Sequence, residues 1–269
     1  MKNGTKRTHS YYAEAHALAK IHSSDRLHSK EQIFLDPNAG GTRRCQFGKV
    51  ELPDDGIFVE SACLEVIGEP MDDGGWKTSA FSEVNGLNVR DRVKASRISG
   101  RVTTEHPAEG YVPSLTFTEV TFQGLTLEDC PIDPVYMFDI VGPTPAEPQF
   151  KDPEANPYLI EYIKSDPFLR AVKAQDSAIA NNEKAPGWAR ARFGSHQQEN
   201  KVKCSLVTRT SGLSDNIAFG HVIDVPDFGK LFLAELVVGE HFDLTMMRIE
   251  FYDGMFSIGG PGVNGKTRP

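Results

Sequence analysis

The sequence predicts a mainly β protein: a β-sandwich or related two-sheet β architecture carrying a helical insertion. Three observations carry the prediction. Apolar and polar residues alternate along many short stretches, the period of a strand with one buried face. Turn-forming clusters punctuate them, as in Asp36-Pro37-Asn38-Ala39-Gly40-Gly41, Pro53-Asp54-Asp55-Gly56 and Met71-Asp72-Asp73-Gly74-Gly75. Only between residues 143 and 200 does the apolar spacing change to that of a helix.

Residues 11–21 alternate as Tyr11, Ala13, Ala15, Ala17, Ala19 and Ile21, and the alternation is set above the helix preference of alanine. Residues 57–67 form the next strand. Residues 76–84 lead to Asn85-Gly86, a type I′ hairpin signal, and residues 87–102 return from it. Residues 112–122 alternate up to a break at Gly124. Gly142-Pro143-Thr144-Pro145-Ala146-Glu147-Pro148 is a proline-rich connector. Beyond it Tyr158, Leu159, Tyr162 and Ile163 share one helical face, Asp166-Pro167 starts a second helix, and Pro186-Gly187 ends the insertion. β character returns at residues 202–208, in a hairpin over 220–238 about Pro226-Asp227-Phe228-Gly229, and at 244–252. The tail from Gly259 is glycine-rich and extended. The chain therefore divides into an N-terminal β half (1–142), a connector and helical insertion (143–200), and a C-terminal β half (201–269) completing the same fold.

At 269 residues the chain is long enough to bury a sizeable core. Its net charge of −8 opposes nucleic acid and anionic lipid at long range, so neither nucleic acid nor a membrane is expected as a partner. The run Arg90, Arg92, Lys94, Arg97, Arg101 reads as a solvated strand face. Nowhere do about 18 apolar residues follow one another, and residues 1–21 lack an apolar run of signal-peptide length. Cys45, Cys63, Cys130 and Cys204 show no zinc-type spacing. The expected setting is cytoplasmic with free thiols, and no metal or cofactor is expected.

Val84-Asn85-Gly86-Leu87-Asn88-Val89, followed by Thr103-Thr104-Glu105-His106-Pro107 and Gly110-Tyr111-Val112-Pro113-Ser114, resembles a group of uncharacterised bacterial β-rich proteins. So does Gly220-His221-Val222-Ile223-Asp224-Val225-Pro226-Asp227-Phe228-Gly229-Lys230, with Leu244-Thr245-Met246-Met247-Arg248 after it. The resemblance spans residues 10–140 and 200–265. More remotely, the order of these strands and the glycine-rich tail is similar to the choice-of-anchor P modules of bacterial surface proteins. The resemblance implies an all-β module and carries no functional residue over.

Several strings resemble chemistry. Gly260-Pro261-Gly262-Val263-Asn264-Gly265-Lys266-Thr267 fits the phosphate-loop pattern, but that loop needs a helix after it, and two residues remain. Asp227-Phe228-Gly229 reads as a turn rather than a magnesium tripeptide. His9, His16, His22 and His28 lack metal-ligand spacing and read as surface histidines. Glu105-His106 is placed in an irregular loop, where a carboxylate beside an imidazole could perform acid–base work. His221 and Asp224 bracket a strand, with Ser205 upstream and no nucleophile elbow. Glu235, among apolar neighbours, needs a partner if buried, and Arg248 of the facing strand is the candidate for a structural ion pair.

Two functions follow as expectations. The first is a non-catalytic binding or self-assembly module of unknown partner, self-associating through strand edges. The alternative is a small-molecule enzyme or ligand carrier, its site between the loop at 105–111 and the hairpin base at 220–224, with Glu105, His106, Tyr111, His221 and Asp224 as ligand-binding candidates. A deep pocket with convergent polar residues from both β halves distinguishes the second from the first.

Overall fold

The computed structural model describes residues 7–21, 27–146, 157–194, 201–239, 241–252 and 254–268. The N-terminal strands are β1 (Thr8–Ile21), β2 (Leu27–Phe34), β3 (Gly41–Phe47), β4 (Val50–Leu52), β5 (Ile57–Val59) and β6 (Ser61–Pro70). The long β7 (Trp76–Val89) and β8 (Val93–His106) follow, then β9 (Ser114–Gln123), β10 (Thr126–Leu127), β11 (Cys130–Pro131) and β12 (Asp133–Tyr136). Helices α1 (Pro157–Lys164), α2 (Asp166–Ala180) and α3 (Gly187–Gly194) come next. The chain then forms β13 (Val202–Ser205), β14 (Val207–Ser211), β15 (Ala218–Phe219), β16 (Val222–Val225), β17 (Gly229–Val238), β18 (Phe242–Glu250) and β19 (Met255–Arg268).

These strands build two large antiparallel sheets. The first runs β15-β16-β17-β18-β19-β1-β2, with β13 also on β17. The second runs β11-β10-β8-β7-β5-β4, with β6 on β7, β3 on β6 and β9 on β8. β12 and β14 form a small separate pair. The sheets face each other across one core. Met246 of β18 lies over Gly100 of β8, where a Cβ would stand 2.5 Å from its sulfur, and the Tyr11 ring of β1 lies over Gly68 of β6 in the same way. Ala13, Ala15 and Ala17 of β1 sit on this inner face, covered by β6 and β7, and packing overrides their helix preference. The expected alternation through Ile21 breaks at Ala17, which the β19 register skips, so that Leu18 turns inward and Ala19 pairs with Ser257 on the other face. Ser82 of β7 donates across the gap to the His16 carbonyl at 2.9 Å.

The N-terminal β half does not coincide with one sheet. β1 and β2 leave it for the sheet of the C-terminal strands, and β1 pairs with β19 from Thr8↔Arg268 to Ile21↔Met255, interrupted only at Ala17 and Gly259. The glycine-rich tail is thus a central strand. Two local expectations also change. Asn85-Gly86 lies inside β7, where Gly86 takes a φ of 63° beneath the Glu60 side chain. The type I′ turn falls instead at Arg90-Asp91, with φ of 51° and 57°. Asn88 supports it, accepting the Asp91 amide at 3.0 Å. Pro186-Gly187 does not end the insertion but opens α3, a proline just before a helix lacking only an amide no turn would use.

The insertion covers the outer face of the first sheet on one side. Phe168, Val172, Gln175 and Ile179 form the buried face of α2. The Gln175 amide clamps β13, accepting the Ser205 N–H at 2.8 Å and donating to the Ser205 carbonyl at 2.9 Å. Ile179 and Ala189 pack with Phe219, Val222 and Phe232 in a second cluster over β15–β17. α1 abuts the core, with Tyr162 donating to the Pro113 carbonyl at 2.8 Å. The outer faces of β18, β19 and β1 lie beside this cover, and there the sheet carries a groove.

Candidate functional site

Glu105 and His106 are the last two residues of β8 rather than loop residues, because the ladder to β7 extends to Trp76↔His106. Strand alternation turns them apart: Glu105 is exposed, and His106 is fully buried between the sheets, edge-on to His9 with centroids 4.6 Å apart. Tyr111 lies under the Arg7 guanidinium, 4.7 Å from its ring centroid, and Arg7 donates to the carbonyls of Ala108 and Gly110. His221 is buried beneath α3, edge-on to Phe193. Asp224 accepts a hydrogen bond from Trp188 Nε1 at 2.8 Å. The structure does not bring these two segments together. His106 packs against β1, and β16 lies four places from β1 in the sheet, roughly 19 Å at the usual strand spacing. Glu235 and Arg248 do meet: Nη2 donates to Oε1 at 2.8 Å and Nε donates to Oε2.

The groove has a volume of about 360 Å³ and runs across β17, β18, β19 and β1. Its floor is the string Gly260-Pro261-Gly262. A strand glycine lets neighbouring side chains lie over it. A Cβ on Gly260 would stand 2.0 Å from His16 Cε1; one on Gly262 would stand 2.5 Å from Asp243 Oδ1 and 3.4 Å from Glu14 Cγ. The pairings Glu14↔Gly262 and Asp243↔Gly262 put both carboxyls in one cross-strand row, leaning toward each other over the glycine. Between Asp243↔Gly262 and Met247↔Ile258 the β18–β19 register breaks, where Gly259 takes a φ of 63°.

This setting dictates the electrostatics. Burial raises the Asp243 carboxyl, the Glu14 charge raises it further, and Lys201 draws it back, leaving it at about 7. Burial also raises Glu14, offset in part by a hydrogen bond from Tyr12. Asp243 has no hydrogen bond or ion pair among the described residues. One row along, His16 Nε2 lies 2.9 Å from Ser257 Oγ; both are buried, and burial holds the imidazole at about 4 and hence neutral.

The far end of the groove is a charge network. Arg248 joins Glu235 and Glu250, and Arg192 of α3 donates to Glu250 at 3.0 Å. Both guanidiniums lie over the Phe232 ring, at 3.7 and 4.6 Å. Burial pushes the Glu235 and Glu250 carboxyls up, but Arg248 and Arg192 together draw both below their ordinary range. Among the described residues, no group of three or more His, Cys, Asp or Glu could hold a metal ion.

Sequence reasoning missed Glu14, His16, Asp243 and Ser257. His9 and His16 are not surface histidines: His16 is buried, and His9 is stacked on Trp76 at 5.2 Å. His22 lies outside the described residues. The available signal was the even-numbered polar series Tyr12, Glu14, His16 on β1, opposite a strand with glycine at alternate positions.

Fold and groove together define a two-sheet β-sandwich protein with a polar groove on one outer face. Within that class, residues 9–239 match the family described as a domain of unknown function (DUF8256), and the chain belongs to this family. The match includes Glu14, His16 and Glu235 and stops before β18 and β19, which supply Asp243, Ser257 and the glycine floor. No curated protein and no solved structure matches the chain. No helix among the described residues is long and apolar enough to cross a membrane.

Proposed function

We propose that the groove is a general acid–base site for a small polar molecule, with Asp243 and Glu14 carrying the proton. The convergence of these two carboxyls over Gly262, inside a groove of about 360 Å³, supports this reading. A carboxyl serves as acid and base at neutral pH only when its proton affinity is raised near that pH, and burial beside a second carboxyl raises it. The pair titrates as a unit, so one proton is shared where two charges would repel. The neutral His16, held by Ser257, adds a polar wall without adding charge.

Groove residues come from both ends of the chain, Glu14 and His16 from β1 and Asp243, Arg248 and Ser257 from β18 and β19. That favours a ligand site over a self-assembly module, as does the exposed Arg43-Arg44 on the edge strand β3, a charge that discourages edge pairing. The free thiols of Cys45, Cys63, Cys130 and Cys204 support a cytoplasmic setting.

The test assays wild type and Asp243→Asn against chromogenic esters and glycosides from pH 5 to 9. The expected result is turnover of at least one class, with a pH limb near 7 and a loss of about 100-fold or more in the variant. Turnover equal in both proteins, or none with any class, rejects the reading.

A further inference from the structure

A second cavity of about 510 Å³ adjoins the groove and shares Glu250 and Met255 with it. It lies over β16 and β17 and the β18–β19 turn, where Tyr252 is 93 % exposed. The ring therefore presents a free apolar face and a hydroxyl at the end of this cavity. Trp188 stands on the same side, held by Asp224 through its N–H and capped by Lys230 at 4.2 Å from its ring centroid. The two cavities make one cleft crossing the strands from β1 to β16, again roughly 19 Å.

We infer that this cleft takes a neutral oligosaccharide, one end over the Glu14–Asp243 pair and the other against Tyr252. The inference rests on the acid–base reading of the groove. Its chemistry follows from what the cleft presents. Hydroxyl-rich chains need carboxylates and hydroxyls as hydrogen-bond partners and a ring face for their C–H surfaces, and the cleft offers Glu14, Asp243, Thr245 and Tyr252. Polyanions are disfavoured. Arg248 and Arg192 are engaged by Glu235 and Glu250, Lys230 lies 4.0 Å from Glu250, and Lys203 stands at the exposed rim. Peptides bind sheets by adding a strand at an open edge, whereas this cleft crosses the face of paired strands. At the acid–base end the protonated carboxyl gives its proton to the glycosidic oxygen as the C–O bond breaks. The ionised partner bonds to the anomeric carbon as that bond breaks; water then displaces it, its oxygen bonding to the anomeric carbon and its proton passing to the first carboxylate, as the close approach of the two carboxyls over Gly262 requires. Water is the only co-reactant, and the pair ends with one proton, as it began.

The experiment is calorimetric titration of the full chain with cellotetraose, xylotetraose, mannotetraose and chitotetraose. The matching disaccharides, a galacturonate tetramer and a serine-rich octapeptide run beside them. The inference expects saturable binding of at least one neutral tetraose, tenfold or more tighter than its disaccharide. It also expects a loss of tenfold or more in Tyr252→Ala, whose melting temperature should match wild type because the ring is exposed. No binding by any neutral tetraose, equal affinity for the disaccharide, an unchanged Tyr252→Ala, or preference for the galacturonate or the peptide overturns it. Turnover of simple chromogenic substrates without tetraose binding would overturn the oligosaccharide and leave the acid–base site standing. Absence of both would overturn both.

Discussion

Asp243 carries a cost that is measurable at the level of one residue. Its carboxyl titrates at about 7 in the fold against an ordinary 3.8, so the folded state binds this proton more tightly than the unfolded state does. Stability from this group is fully present below about pH 4 and is lost as pH rises through 7. Asp243→Asn removes the charge and keeps the shape. It should raise stability at pH 8 by about 2 kcal/mol, since each tenfold in proton affinity is worth roughly 1.4 kcal/mol and water in the groove moderates the full value. The gain should vanish at pH 4. Melting curves at both pH values check it, and an equal gain at both would show that the carboxyl is not displaced. Arg248 behaves oppositely. It sits between two carboxylates in a buried network; Arg248→Met strands the buried Glu235, while Glu250 keeps Arg192, and should cost roughly 3–5 kcal/mol at neutral pH, measured by denaturant unfolding.

At the level of elements, β19 decides whether the groove exists. Gly262→Ala puts a methyl 2.5 Å from Asp243 Oδ1, at the mobile end of a side chain, so the carboxyl can swing away. Gly260→Ala puts one 2.0 Å from a buried imidazole tied to Ser257, which has nowhere to go. The first substitution should therefore spare the fold and return the Asp243 carboxyl toward its ordinary range, read by carboxyl-carbon NMR titration. The second should destabilise by about 2 kcal/mol or more. Equal destabilisation would mean that the glycines serve the strand rather than the groove. The same strand shows why the site was illegible in the sequence. Alternation and turn chemistry are local, and they located most strands and the helical insertion. The pairing of β1 with β19 joins residues 8–21 to 255–268, and no local pattern announces it. Glu14 and Asp243 therefore read as isolated strand acids, and Gly260 to Gly265 as a tail. Glu235 and Arg248 were legible because a hairpin places them 13 residues apart, within the reach of facing-strand reasoning.

The whole molecule is sensitive to acid through its buried histidines, which are spread over both faces of the first sheet. Burial, with Arg7 nearby, lowers His9 to about 4; burial lowers His16 to about 4. Burial lowers His221 to about 4 against the pull of Glu235, and burial with His9 and Arg7 holds His106 well below its ordinary value. Each group binds its proton less tightly in the fold than in the unfolded chain. Its contribution is therefore complete above the ordinary value of about 6.5 and is lost as pH falls toward 4. Asp243 and Glu14 run the other way over the same window, but they are two groups against four. The melting temperature should fall by roughly 10 °C or more between pH 7 and pH 4.5, because a few kcal/mol moves it by about 2–4 °C per kcal/mol at this size. His221→Phe, which keeps a ring against Phe193, should flatten part of that fall. A melting temperature level down to pH 4.5 would mean that water reaches these rings. The one-cleft geometry, which depends on the same packing beneath α3, would then need the helix to stand further from the sheet.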